Sequence, residues 1–201
     1  TLGTYLLEAM ADGGCCALVN ASTVMAHYQG EEYCPLNLYA ATKQAFTDLL
    51  AYYTDAGLVR AVTLVLSDTY GPNDRRPKIL NLIKQAVQSG ERLALSDGGQ
   101  DYDLVHIDDV TRAFQMAGKQ LLQNHNWKDE TFQIGSKEIL TLRETVEYML
   151  QINRVELNAG WGERPSPERE IRRAVRLYPS LPGWQPEVTP ENGLKHFANH
   201  L

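Results

Sequence analysis

This sequence has few cysteines, no basic stripe and no long apolar run, and each absence removes a class of protein. Its three cysteines, Cys15, Cys16 and Cys34, are too few for a disulfide framework, and adjacent cysteines lack the spacing of a zinc site. They are read as reduced thiols, with Cys16 opening a buried strand. The net charge is −6, from 19 Lys and Arg against 25 Asp and Glu. The two signs are interspersed, so no surface suited to a phosphate backbone is expected, and nucleic acid is excluded as a partner. No apolar run approaches the roughly 20 residues that cross a bilayer, so no membrane span is expected. The first residues show no signal-peptide order of charge, apolar core and small-residue cleavage site, and a cytoplasmic location follows as the expectation. His196 and His200 have the i, i+4 spacing of a metalloprotease helix, but Phe197 stands where the Glu base belongs, so no metal is expected.

What is there is a globular composition of 201 residues, long enough to bury a substantial core. Residues 4–11 carry apolar side chains at helical spacing and run into Gly13-Gly14, a stop signal. A strand over 16–20 follows and ends at Ser22-Thr23. Pro35 leads into a long helix over 36–56, with a stripe of Tyr39, Lys43, Phe46, Leu50 and Tyr53 and a stop at Gly57. Residues 61–66 are a β-branched and Leu-rich run, as in a strand buried on both faces of a parallel sheet. Strand, helix, strand makes a βαβ unit, and the fold class is α/β. Beyond it the pattern predicts a turn at 70–74, a helix over 78–88 and strands over 92–95 and 103–107. A helix from Asp108-Asp109 to Leu122 follows, its carboxylates at the N-terminus where the helix dipole favours them. Then come a strand over 131–134, a helix over 142–152, a Pro- and Arg-rich loop region over 163–186, and a last helix capped by Thr189 with Pro190 in its first position.

Tyr39 and Lys43 stand four residues apart on the long helix, so both project from one face, one turn apart. A phenol titrates near ~10 in water and a neighbouring ammonium favours the phenolate, which brings such a pair towards the working range of an acid or base. Ser22 or Thr23 at the strand end offers a hydroxyl to hold a substrate oxygen. Each feature also has a plain reading. Tyr-x-x-x-Lys is common on helix surfaces, and Ser-Thr at a strand end is a turn or cap. Arg169, Arg172, Arg173 and Arg176 read as a solvated face rather than a phosphate clamp, and Asp108-Asp109 as a helix start rather than a metal site.

Taken in order, Gly3-Thr4 with Leu6-Leu7, Ser22-Thr23, Tyr39-x-x-x-Lys43, Tyr70-Gly71-Pro72, Leu104-Val105-His106-Ile107-Asp108-Asp109-Val110, Gly183-Trp184-Gln185-Pro186 and Gly193-Leu194 resemble the landmarks of the extended short-chain dehydrogenase/reductase family. These are the nucleotide-sugar epimerases, dehydratases and 4-ketoreductases. Asp68-Thr69-Tyr70-Gly71-Pro72-Asn73-Asp74 followed by Arg76-Pro77-Lys78 is most similar to the CDP- and dTDP-hexose 4-ketoreductases of the abequose and paratose synthase kind, enzymes of O-antigen biosynthesis. The resemblance implies a partial Rossmann-type parallel sheet with a small α+β substrate-binding cap. Residues 1–66 and 100–125 would be the C-terminal part of the NAD(P)-binding domain, and 67–99 and 126–201 mainly the nucleotide-sugar-binding cap.

The same resemblance implies NAD or NADP as cofactor and a nucleotide-linked 4-keto (6-deoxy) sugar as substrate. It leaves a homodimer open, because the helix over 36–56 packs between subunits in many members. By it Tyr39 is the acid/base for the sugar C4 oxygen. Lys43 lowers the Tyr39 pKa and binds the nicotinamide ribose, Thr23 or Ser22 hydrogen-bonds the same sugar oxygen, and Asn20 joins Tyr39 and Lys43 on the cofactor side. Substrate binding falls to Asp68, Asn73, Arg75, Arg76, Lys78, Tyr102 and Arg164.

The chain departs from the family pattern in four places. Dehydratases place an Asp-Glu pair after the catalytic Thr; Val24 and Met25 stand there, and neither moves a proton, so ketone reduction or 4-epimerisation is expected and dehydration is not. No Gly-x-x-Gly-x-x-Gly follows a strand, so the chain is expected to begin about halfway through the nucleotide-binding domain and to bind NAD(P) poorly by itself. Tyr102 takes the place of an Arg before Asp103, and Pro165-Ser166-Pro167 that of Pro-Tyr-Arg, so Arg75, Arg76, Lys78 or Arg164 would have to meet the diphosphate. A non-catalytic relic or binding protein that keeps the fold is the rival reading.

Overall fold

The first apolar stripe folds as helix α1 (Leu2–Asp12) and the run after it as strand β1 (Ala17–Thr23), in a computed structural model that describes residues 2–198. His200, half of the spaced histidine pair, lies outside the described residues. Strand β1 runs further than the sequence suggests: Ser22 and Thr23 belong to it and stand opposite Val65 and Leu66. Cys16, expected to open a buried strand, is instead exposed and precedes β1. Only its backbone joins the sheet, its carbonyl accepting the Arg60 N–H at 2.8 Å.

Helix α2 (Leu38–Asp55) starts at Asn37, whose side chain accepts the Ala40 N–H at 2.9 Å, the arrangement that makes Asn a good N-cap. Gly57, at φ +70°, turns the chain out of the helix in a conformation that side chains with a Cβ rarely adopt. Strand β2 (Arg60–Leu66) follows and is buried along its centre, as its β-branched run requires. Leu7 and Met10 of α1, Leu50 of α2, and Val59 and Ala61 close one core, with Phe46 packed against it.

Helix α4 (Ile107–Gln123) and strand β7 (Asp129–Ile134) complete this region. The sheet has the order β1-β2-β7, all parallel, with Thr63 of β2 paired to Asn20 on one side and Thr131 on the other. The chain forms two compact units, the first being Thr1–Ser67, Val110–Gly135 and Val175–Gln185. Strand β7, which the sequence reading puts with the cap, thus belongs to the parallel sheet. The segment after residue 174 joins it through Gln133, whose backbone N–H donates to the Pro179 carbonyl at 2.9 Å and whose side chain binds the backbone of Val175 and Leu177.

The second unit is Asp68–Asp109, Ser136–Ala174 and Pro186–Leu201. It is built from short strand pairs on helices. Strand β3 (Asp68–Tyr70) lies parallel to β6 (Leu104–His106), β4 (Leu93–Leu95) parallel to β9 (Ala159–Trp161), and β5 (Asp101–Tyr102) antiparallel to β8 (Leu140–Thr141). Residues 100–109, expected with the nucleotide-binding part, are therefore held here through β5 and β6. Helix α3 (Ile79–Ser89), helix α5 (Leu142–Asn153), opened by a Thr141/Glu144 capping box, and helix α6 (Pro190–Ala198) cover these strands.

The core of the second unit gathers Tyr70, Leu80, Ile83, Leu142, Val146, Met149 and Leu194. Gly193 allows α6 its approach: a Cβ there would stand 1.9 Å from the Tyr70 hydroxyl oxygen. Among the described residues no helix is long and apolar enough to cross a membrane.

Candidate active site

In the first unit the predicted catalytic residues collect at the carboxyl end of β1 and the start of α2. Lys43, half-buried, donates from Nζ to the carbonyl of Ala21 at 3.0 Å. That carbonyl lies between Asn20 and Ser22, so the ammonium is held at the strand end where the hydroxyls stand. Ser22 and Thr23 are both buried. Thr23 Oγ1 accepts the Met25 N–H at 3.2 Å and caps a 3-10 turn over Val24–Ala26. The plain reading of Thr23 as a cap is therefore realised, and it leaves the hydroxyl proton free to be donated. Val24 and Met25 follow Thr23 directly in that turn.

Tyr39 sits in the first turn of α2, one turn ahead of Lys43, and is 54% exposed. Its ring is not committed to the core. Asn20, predicted on the cofactor side, is buried and turns its amide Nδ2 to the hydroxyls of Thr47 and Thr63, each at 3.3 Å. It ties β1 to α2 and β2, which leaves its carbonyl oxygen as the atom for any ligand.

The loop between the hydroxyls and α2 is fixed by a residue that the sequence reading missed. His27 is buried; its Nδ1 donates to the Glu32 carbonyl at 2.7 Å, and its ring meets Tyr178 edge-on at 5.4 Å. The Leu36 N–H adds a bond to the Met25 carbonyl at 2.8 Å. A single His in a polar loop carries no sequence pattern that would mark it.

In the second unit, five of the residues predicted to bind substrate lie in or beside one charged turn. Asp74 receives the Arg76 guanidinium in a two-pronged pair, Nε to Oδ1 at 2.8 Å and Nη2 to Oδ2 at 2.6 Å; the Arg76 hydrogen bonds hold the Asp74 carboxyl below its usual range. Lys78 approaches Asp68 at 3.5 Å. Burial pushes the Asp68 carboxyl up, against the opposing pull of Lys78. Asn73 takes the left-handed conformation at φ +64°, which Asn tolerates better than most residues, and Arg75 is exposed beside it. Asn81, also missed in the sequence, pins the turn by donating to the carbonyls of Asp74 and Arg76 at 2.9 and 2.8 Å.

Tyr102 borders this cluster. Burial first, then the charges of Asp68 and Asp74, push its phenol well above the ordinary value, so it stays a neutral hydroxyl where an Arg was expected. Arg164 is exposed on the segment after β9, its backbone N–H bonded to the Leu95 carbonyl at 3.0 Å. The arginines beyond it behave as surface clasps: Arg172 pairs with Asp97 and Arg173 with Asp101.

Comparison with known proteins places these features in context. The NAD dependent epimerase/dehydratase family matches residues 1–135. A CDP-abequose synthase of Yersinia pseudotuberculosis is 34% identical over 127 residues, which are 63% of this chain and 44% of that protein. A UDP-glucuronate 4-epimerase of Thermodesulfobacterium geofontis is 28% identical, over 96% of this chain and 62% of its own length. The chain thus spans less than two thirds of these relatives. Among solved structures, the Thermus thermophilus UDP-glucose 4-epimerase complex with NAD superposes with a TM-score of 0.79 at 25% identity, covering 98% of this chain and 68% of that one. MoeE5 in complex with UDP-glucuronic acid and NAD gives 0.80 over 96% and 67%; at 21% identity it speaks for the fold alone.

Proposed function

The chain belongs to the NAD dependent epimerase/dehydratase family, and from that premise we propose that it carries the catalytic end of an oxidoreductase or epimerase acting on a nucleotide-linked 4-keto sugar. The observation that carries the proposal is the tether of Lys43 to the Ala21 carbonyl, which keeps the ammonium at the strand end that bears Ser22 and Thr23, one helical turn from an exposed Tyr39.

These residues fit the nicotinamide end of a dinucleotide: an exposed phenol, an ammonium and a buried amide on one strand–helix junction. When bound, the nicotinamide supplies or takes up the hydride. The chain's own groups then manage the proton. Tyr39 donates to the C4 oxygen as it becomes an alkoxide in the reductive direction, or removes the C4 hydroxyl proton in the oxidative one. Thr23, whose Oγ1 is already held by the Met25 N–H, directs its remaining proton to the same oxygen. Lys43 provides a fixed positive charge at the strand end, one helical turn from the phenol. Val24 and Met25 supply no acid–base pair, so the reaction stops at reduction or epimerisation. Asp68, Asn73, Arg75, Arg76, Lys78, Tyr102 and Arg164 are proposed for the nucleotide-sugar, with Arg75, Arg76, Lys78 and Arg164 as the cations available to its diphosphate.

The test is an assay of the natural protein from its source cells, with CDP- and dTDP-4-keto-6-deoxyhexoses and either NADH or NADPH, following absorbance and product stereochemistry. Reduction or epimerisation at C4 is the expected result. Release of water from a 4-hydroxy sugar, or full activity in Tyr39→Phe, would overturn it.

A further inference from the structure

The second unit holds a cavity of about 420 Å³, within the size range of small-molecule sites, and of the residues proposed above only Tyr102 lines it. Two tyrosine rings, Tyr70 and Tyr102, and the aliphatic side chains of Leu104, Leu140 and Leu194 form much of the wall. His106 is the notable polar member, only 7% exposed. Its Nδ1 accepts the Asp108 N–H at 3.2 Å, so the neutral ring carries its proton on Nε2. That N–H is a donor a guest in the cavity can use.

The remaining polar wall is neutral and two-sided. Thr145 donates its hydroxyl proton to the Thr141 carbonyl at 2.9 Å and keeps lone pairs to accept with. Thr189 Oγ1 accepts the Asn192 N–H at 3.3 Å and keeps a proton to donate. Asp109 is engaged with the backbone N–H groups of Glu187 and Val188, at 2.9 and 3.1 Å. Of the charged side chains left on the lining, Glu138 and Glu187 outnumber Lys137, so an anion is disfavoured. Aromatic faces with neutral donors and acceptors, and no surplus of positive charge, suit an uncharged ring of hydroxyl groups whose C–H face packs on the tyrosines. We propose that this cavity is a second ligand site, which takes a neutral pyranose without its nucleotide.

The experiment is NMR on the isotope-labelled chain, titrated with D-glucose, L-fucose and, as an anionic control, glucose 6-phosphate. Saturable shifts at Tyr70, His106 and Thr145 with glucose or fucose, with Tyr39 and Lys43 unmoved, are expected. Leu140→Trp should fill the cavity and abolish them. Should that variant fail to fold, Thr189→Val, which removes one donor at an exposed position, should weaken binding about tenfold. No saturable shift with either sugar, equal binding of glucose 6-phosphate, shifts confined to Tyr39 and Lys43, or binding untouched by the folded variant would overturn the proposal.

Discussion

The Lys43 ammonium donates a 3.0 Å hydrogen bond to the Ala21 carbonyl, fastening the first turns of α2 to the end of β1. Lys43→Met keeps most of the aliphatic stem and removes the bond to a half-buried carbonyl. The folded state should lose roughly 1 to 3 kcal/mol, read by chemical denaturation, and activity of the natural protein should fall as the charge at the end of β1 disappears.

Tyr39→Phe separates chemistry from folding. The side chain is 54% exposed, so stability should stay within about 0.5 kcal/mol, while kcat should fall by ~100-fold or more through loss of the proton donor. A matching loss of stability would place Tyr39 in the framework.

Thr23 joins both roles. Thr23→Val deletes the acceptor for the Met25 N–H and should lower stability by about 0.5–2 kcal/mol, as for other lost caps, together with turnover. Thr23→Ser keeps the hydroxyl and should retain both; denaturation midpoints and kcat in parallel give the comparison.

Gly193→Ala drives a methyl group into the Tyr70 hydroxyl, 1.9 Å from the new carbon. Overpacking of this kind is unfavourable by about 1–3 kcal/mol. The double variant with Tyr70→Phe, which frees the oxygen's space, should recover part of the loss in a thermal melt.

Asp97 is held at about 2, chiefly by hydrogen bonds from Arg172. Its folded pKa is depressed, so the stabilisation it brings is complete above its unfolded value near ~3.9 and is lost as pH falls through about 2. Hydrogen exchange of the segment around Arg172 between pH 5 and pH 2, compared with Arg172→Gln, reads this directly: the variant should lack the acid dependence. The pair is exposed, so salt should weaken it.

The parallel sheet was legible because its signal is dense. Residues 61–66 could hardly be anything but a buried strand, and the stripe from Tyr39 to Tyr53 marks a helix. Tyr39, Lys43 and Thr23 stood out through their spacing and order, and the structure sets Lys43 and Thr23 at the end of β1. Strands β3, β5, β8 and β9 were not legible, since they lack the run of apolar residues that marks β4 and β6 and pair only through distant partners. The same holds for Asn20, whose inward amide depends on Thr47 and Thr63 arriving from two other elements, and for Cys16, where an apolar neighbourhood in sequence became an uncovered strand entrance. Tyr102 drew notice as a missing arginine; its burial beside Asp68 became visible only in three dimensions.

Strand β2 takes one neighbour from the chain already made and the other from chain still to come: Thr63 pairs with Asn20 and, much later in sequence, with Thr131. On the ribosome, β1 and β2 can meet early, yet the second edge of β2, with Val62, Leu64 and Val65, stays open until the whole intervening stretch to residue 134 has emerged. Open apolar edges recruit foreign strands. Expression that slows elongation between the codons for residues 67 and 129 should therefore raise the insoluble fraction more than an equal delay placed after residue 140.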